Sequence, residues 1–128
     1  MGQDRATVVV VDDSPTMTAV FKRGTENLPV DLRIFNSAED SWTYLESNCP
    51  DLLFLNIKMP GKDGLTFLKD LRDLPLHKDT RVVMISSKDY AQDRSIANEL
   101  GALEFVTKPT PIRVITEIVH RYITADPA

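Results

Sequence analysis

The stretch VVVVDDSPTM, residues 8–17, decides the architecture. Val8 to Val11 are four consecutive β-branched residues. An unbroken apolar run suits a strand covered on both faces, as in a parallel sheet, better than an alternating one would. The run closes on two carboxylates, Asp12 and Asp13. Ser14-Pro15 then reads as a helix N-cap with proline at the first helical position, where a missing N–H costs nothing. Met17, Val20 and Phe21 follow at helical spacing, and that helix must stop before Pro29.

The same strand-then-helix unit recurs along the chain. A second strand fits Leu32 to Phe35, with Ser37 capping a helix through Trp42, Leu45 and Glu46. Pro50-Asp51 precedes a third apolar run, Leu52 to Leu55, and the turn Met59 to Gly64 leads into a helix through Leu65, Leu68 and Leu71. Val82 to Ile85 is a fourth strand, and a helix from Ala91 to Leu100 ends at Gly101 as its C-terminal cap. Glu104 to Val106 makes a short fifth strand. Ile112, Ile115, Ile118, Val119 and Tyr122 form the apolar stripe of a last helix. Five strands alternating with five helices predict a doubly wound α/β fold, and with no repeat or linker in between, residues 1–128 read as one domain.

Composition agrees. The chain has 128 residues, 42% hydrophobic and 27% charged, which excludes disorder and fibres. Its formal net charge of −4 offers no global basic surface to nucleic acid. No apolar run reaches the length of a membrane span, and MGQDRATV has no signal-peptide core. The one cysteine, Cys49, excludes a disulfide framework and suits a reducing, cytoplasmic setting.

Ligands of such sheets bind beyond the carboxyl ends of the strands. The polar residues there are Asp12 and Asp13, Asn56, Ser86 and Ser87, and Lys108. Adjacent carboxylates make a hard oxygen site suited to Mg²⁺. A hydroxyl and an ammonium arriving from other strands hold phosphoryl oxygens. Each residue alone has a plain structural reading, as a cap, a loop hydroxyl or a surface lysine. Their convergence at one edge carries the functional one.

Taken in order and spacing, VVVVDDSPTM, DLLFLNIKMPGKDGL, VVMISS and FVTKP resemble the signature blocks of the response-regulator receiver domain, the CheY-like fold. The resemblance covers nearly the whole chain. It implies a flavodoxin-like, five-stranded parallel sheet in the order 2-1-3-4-5, with helices one and five on one face and two, three and four on the other. By the same resemblance Asp12 and Asp13 match the Mg²⁺-site acids, and Lys58 matches the residue that lends a backbone carbonyl to the metal. Ser86 matches the switch hydroxyl, Lys108 the phosphoryl-binding lysine and Phe105 the aromatic switch. Ser87 stands where receivers usually carry alanine. The Lys108-Pro109 bond is implied to be cis.

The departure is Asn56, where receivers place the aspartate that takes a phosphoryl group from a histidine kinase. A neutral amide oxygen is a far weaker nucleophile than a carboxylate. It also removes one negative charge from the metal cluster, so Mg²⁺ is expected to bind weakly or not at all. A natural phosphorylation-independent receiver and an Asp→Asn variant both fit. The implied partners are a sensor histidine kinase or phosphotransfer protein, and an output domain or partner protein on the face of helix four, strand five and helix five. A homodimer is also compatible, and direct contact with nucleic acid or membrane is not expected. The chain reaches Asp126-Pro127-Ala128 where a stand-alone receiver stops and where an effector linker would start.

Two other function classes compete. A metal-dependent phosphatase or phosphotransferase would use Asp12 as nucleophile, but such enzymes usually carry a second acid two residues on, and here that residue is Ser14. The third reading is a scaffolding α/β domain. Outside the cluster, His77 in the polar segment LPLHKD and His120 on the last helix are expected at the surface. Cys49 reads as a structural thiol, Trp42 as packing, and Arg113 and Arg121, interleaved with Glu117, as a solvated face.

Overall fold

A computed structural model describes residues 5–124; the readings made on the first four and last four residues lie outside it. The elements are β1 (Ala6–Val11), α1 (Pro15–Thr25), β2 (Val30–Phe35), α2 (Ala38–Leu45), β3 (Leu52–Asn56), α3 (Gly64–Arg72), β4 (Val82–Ser86), α4 (Ala91–Glu99), β5 (Glu104–Thr107) and α5 (Ile112–Ile123). A short 3₁₀ turn, Pro75–His77, precedes β4. All strand pairings are parallel and the order is β2-β1-β3-β4-β5.

The expected run at Val8–Val11 is fully buried because both sheet faces are covered. Val8 and Val10 face Met17, Phe21, Ile115 and Val119 of α1 and α5. Val9 and Val11 face the other core, with Leu45, Leu65, Phe67, Leu68 and Ala97 of α2, α3 and α4. The alternation of strand faces thus splits one apolar string between two cores. On the edge strand β2 the pattern is mixed, since one side there meets solvent. It starts two residues earlier than expected, at Val30, which pairs with Ala6.

The caps read from the sequence form. Ser14 Oγ accepts from Met17 N at 3.2 Å and Ser37 Oγ from Asp40 N at 3.1 Å. At the end of α4, Gly101 takes φ +81°. Its N–H bonds Asn98 O, and Ala102 N bonds Ala97 O, each at 3.0 Å, which is the Schellman pattern that favours glycine.

His77 corrects an expectation. It is fully buried: Nε2 lies 2.6 Å from Leu45 O, and Nδ1 lies 2.8 Å from Thr80 Oγ1. A carbonyl only accepts, so Nε2 carries the proton, and Nδ1 accepts from Thr80. Both ring nitrogens are satisfied, which is what lets a histidine leave water. Beside it the Arg72 guanidinium donates to the carbonyls of His77, Thr80 and Leu100, joining α3, the 3₁₀ turn and the end of α4. Burial pulls its pKa below the ordinary arginine value, and the charge of Asp79 opposes that. Cys49 is exposed, with Sγ 3.3 Å from Thr80 Oγ1. Trp42 packs as expected, edge-on to Phe67 with centroids 5.6 Å apart.

Candidate functional site at the carboxyl edge of the sheet

Register brings the strand-end residues to one level. Val11 pairs with Leu55, Asn56 with Ile85, and Ser86 with Thr107. Asp12, Asn56, Ser86 and Lys108 therefore stand at the same edge of four adjacent strands. Lys108 is fixed at its backbone by its own N–H to Ser86 O at 2.8 Å, and the Lys108–Pro109 bond is cis.

The ammonium of Lys108 then reaches across β4 and β3 to Asp12. Nζ donates to Asp12 Oδ1 at 3.3 Å and lies 3.1 Å from Oδ2. Oδ1 also accepts from Ser14 N at 2.9 Å. The approach to Oδ2 is close but off the hydrogen-bonding direction, so Oδ2 is a buried oxygen with no hydrogen-bond donor. The side chains are 16% and 1% exposed, and in so little water the attraction is worth far more than on a surface.

Asn56 is buried at the end of β3, and its Nδ2 donates to the Lys58 carbonyl at 2.7 Å. The amide thus holds the carbonyl that the receiver resemblance assigns to a metal. The loop that follows is pressed tightly onto β3. Gly64 N donates to Ile57 O at 2.7 Å, and a Cβ at Gly64 would stand 2.3 Å from Asn56 O, so only glycine fits there. From the sequence Gly64 reads only as the end of the turn Met59 to Gly64; its close approach to Asn56 O, at the end of β3, has no local signature.

The remaining candidates fall as follows. Ser86 is buried and its Oγ accepts from Lys88 N at 3.0 Å; Ser87 is exposed, as are Asp13 and the Lys58 side chain. Phe105 is half-buried on β5, under the guanidinium of Arg94, whose Cζ lies 4.7 Å from the ring centroid. Arg94 was not singled out by sequence, because an exposed arginine on a polar helix has no local signature.

The donor set suits a magnesium ion only in part. The orphaned Asp12 Oδ2 and the exposed Asp13 carboxylate are ligands of the right kind. Against them stand the Lys108 cation and the engaged Lys58 carbonyl. Among the described residues no group of three or more His, Cys, Asp or Glu gathers as a metal site.

An acid, an amide, a hydroxyl and an ammonium at successive strand ends, before a cis proline, give this edge its class. The response regulator receiver domain family matches residues 8–120, and the chain belongs to it: it is a receiver domain of two-component signalling. It is 32% identical over 104 residues to the cyclic di-GMP phosphodiesterase response regulator RpfG of Xanthomonas campestris, covering 80% of this chain and 28% of RpfG. To the alkaline phosphatase synthesis transcriptional regulatory protein PhoP of Bacillus subtilis it is 29% identical over 102 residues, covering 80% of this chain and 42% of PhoP. The chain thus spans less than half the length of these curated relatives. Among solved structures, the phosphorylated cyanobacterial phytochrome response regulator RcpA matches with a TM-score of 0.88 at 19% identity, over 97% of this chain and 99% of RcpA. The Mn²⁺-bound response regulator Rcp1 matches with 0.84 at 20% identity, over 96% and 99%. At such identities the likeness shows the fold. No helix of the described residues is long and apolar enough to cross a membrane.

Proposed function

We propose that residues 1–128 act as a receiver unit whose phosphoacceptor place is held by Asn56, so that it signals without accepting a phosphoryl group there. One observation carries the reading: Asn56 ends β3 at the level of the Lys108–Asp12 pair, and its amide is spent on the Lys58 carbonyl. A carboxylate at that place would attack phosphorus to give an acyl phosphate, whereas a neutral amide does not. The other parts suit anion binding: Lys108 and the Ser86 hydroxyl for phosphoryl oxygens, Ser87 at the rim, and Phe105 as the reporter of pocket state.

Magnesium, where bound, would take Asp12, Asp13, the Asn56 side-chain oxygen and the Lys58 carbonyl, and would neutralise charge on a phosphoryl group. Two formal carboxylates and one opposing ammonium make that binding weak. Regulation then comes from partner contacts that favour one of two packed states. Those partners are a histidine kinase or phosphotransfer protein, an output partner on the α4–β5–α5 face, or a second copy of the chain, in the cytoplasm. Asp12 as an enzymatic nucleophile is the weaker reading: its carboxylate is buried, and one oxygen is already held by Ser14 N and Lys108.

The test is intact-protein mass spectrometry after incubation with acetyl phosphate and Mg²⁺. The protein is expected to stay unmodified at position 56, and Asn56→Asp to gain one phosphoryl group. An adduct on Asn56 overturns the reading. A folded Asn56→Asp protein that stays unmodified would mean the pocket itself is vestigial.

A further inference from the structure

Phe105 is restrained from outside the pocket. The guanidinium that covers its ring also binds Asp89 through two bonds, Nε to Oδ1 at 2.5 Å and Nη2 to Oδ2 at 3.2 Å. Asp89 belongs to the loop between β4 and α4, directly after Lys88, and Lys88 N is held by Ser86 Oγ at 3.0 Å. A continuous chain of contacts therefore runs from the buried Ser86 hydroxyl through Lys88 and Asp89 to Arg94, and from Arg94 to the ring of Phe105. Between α4 and β5 lies a groove of 340 Å³ lined by Arg94, Ala97, Asn98, Ala102, Leu103 and Phe105.

We infer that Arg94 is a positioning residue that clamps Phe105 in its half-buried place, and that Asp89 links this clamp to Ser86. The inference deepens the receiver reading, because it names the residues outside the pocket, Arg94 and Asp89, that restrain Phe105. The physical ground is directional. A guanidinium above a ring face is attracted by the ring quadrupole. A fork held by both oxygens of one carboxylate has little freedom to follow the ring if it turns inward. Any change that withdraws Ser86 Oγ from Lys88 N loosens the segment carrying Asp89, and the cost of moving Phe105 falls. The bond to Arg94 holds the Asp89 carboxyl below its ordinary pKa, and the same bond raises that of Arg94.

The experiment is aromatic ¹H–¹³C NMR of Phe105 in the full chain, comparing the parent with Arg94→Ala, Asp89→Asn and the double variant. Arg94 and Asp89 are exposed, so all should fold. Loss of an exposed cation–π contact corresponds to a ~2- to 5-fold change in the ratio of ring positions. Both single variants are expected to move the Phe105 resonances along one line. The double variant should go no further than Arg94→Ala, because Asp89 acts through Arg94. Arg94→Lys, which keeps the cation but not the fork, should fall between. Unchanged Phe105 resonances in folded Arg94→Ala overturn the clamp, and additive shifts in the double variant overturn its link to Asp89. Neither result depends on phosphorylation chemistry, so failure here is separable from failure of the receiver reading.

Discussion

The side-chain amide of Asn56 donates to the backbone carbonyl of Lys58 at 2.7 Å, closing a two-residue loop at the end of β3. In this way an uncharged side chain ties down the segment on which Gly64 and the start of α3 rest. An aspartate in the same place would set a carboxylate oxygen against that carbonyl and add a negative charge beside Asp12.

Asn56→Asp is therefore expected to be less stable than the parent in EDTA, by about 1–3 kcal/mol, from the lost donor and the like-charge approach. In a chain of this size that is a fall in Tm of roughly 5–15 °C. Saturating Mg²⁺ should restore most of it, while the parent should respond little. Thermal denaturation with and without Mg²⁺ checks this, and equal Mg²⁺ responses in the two proteins would count against the arrangement.

Lys108→Met should be strongly destabilising, although it replaces a charged residue with an apolar one of similar length. It leaves Asp12 buried without its cation, which costs about 3–5 kcal/mol when one partner of a buried pair is removed. Adding Asp12→Asn should recover a large part of the loss. Urea midpoints of the parent, the single and the double variant decide it: a double variant no more stable than Lys108→Met would show that the pair is not the cause.

Tyr122 Oη donates to Glu104 Oε2 at 2.7 Å, and Arg121 binds the same oxygen. Burial first, and then the bond to and charge of Glu104, raise the Tyr122 pKa above its ordinary value of 10.0. A group whose folded pKa is raised contributes stability that is complete below the unfolded pKa and is lost as pH climbs to the folded one. The parent should thus lose stability above about pH 10. Tyr122→Phe should cost about 1 kcal/mol at neutral pH, given its partial exposure, and should show a shallower decline above pH 10. Denaturation midpoints measured from pH 8 to 11 check the slope, and parallel curves for the two proteins would contradict it.

Most of the fold could be read along the chain because its signals are local. Val8–Val11, Leu52–Leu55 and Val82–Ile85 are continuous apolar runs, short, rich in β-branched residues or bounded by turn residues, which suits strands buried on both faces. Ser14, Ser37 and Gly101 are caps whose chemistry acts within a few residues. The sheet order, the division of helices between its faces and the cis bond before Pro109 followed from family resemblance and are present in the structure.

The site was legible only as a set of residue types at strand ends. That Lys108 spans 96 positions to reach Asp12, that Asn56 turns its amide to Lys58, and that Arg94 covers Phe105 depend on which atoms meet after folding. His77 is the plainest case. In LPLHKD it is followed directly by the charged Lys78 and Asp79, which read as a surface segment. It is buried because Leu45 O, 32 positions away, and Thr80 Oγ1 satisfy both ring nitrogens. Apolar burial is written in composition and period, because it asks only for area removed from water. The burial of a polar group asks for a partner at bonding distance and angle, and that partner is supplied by distant parts of the chain once they have packed together.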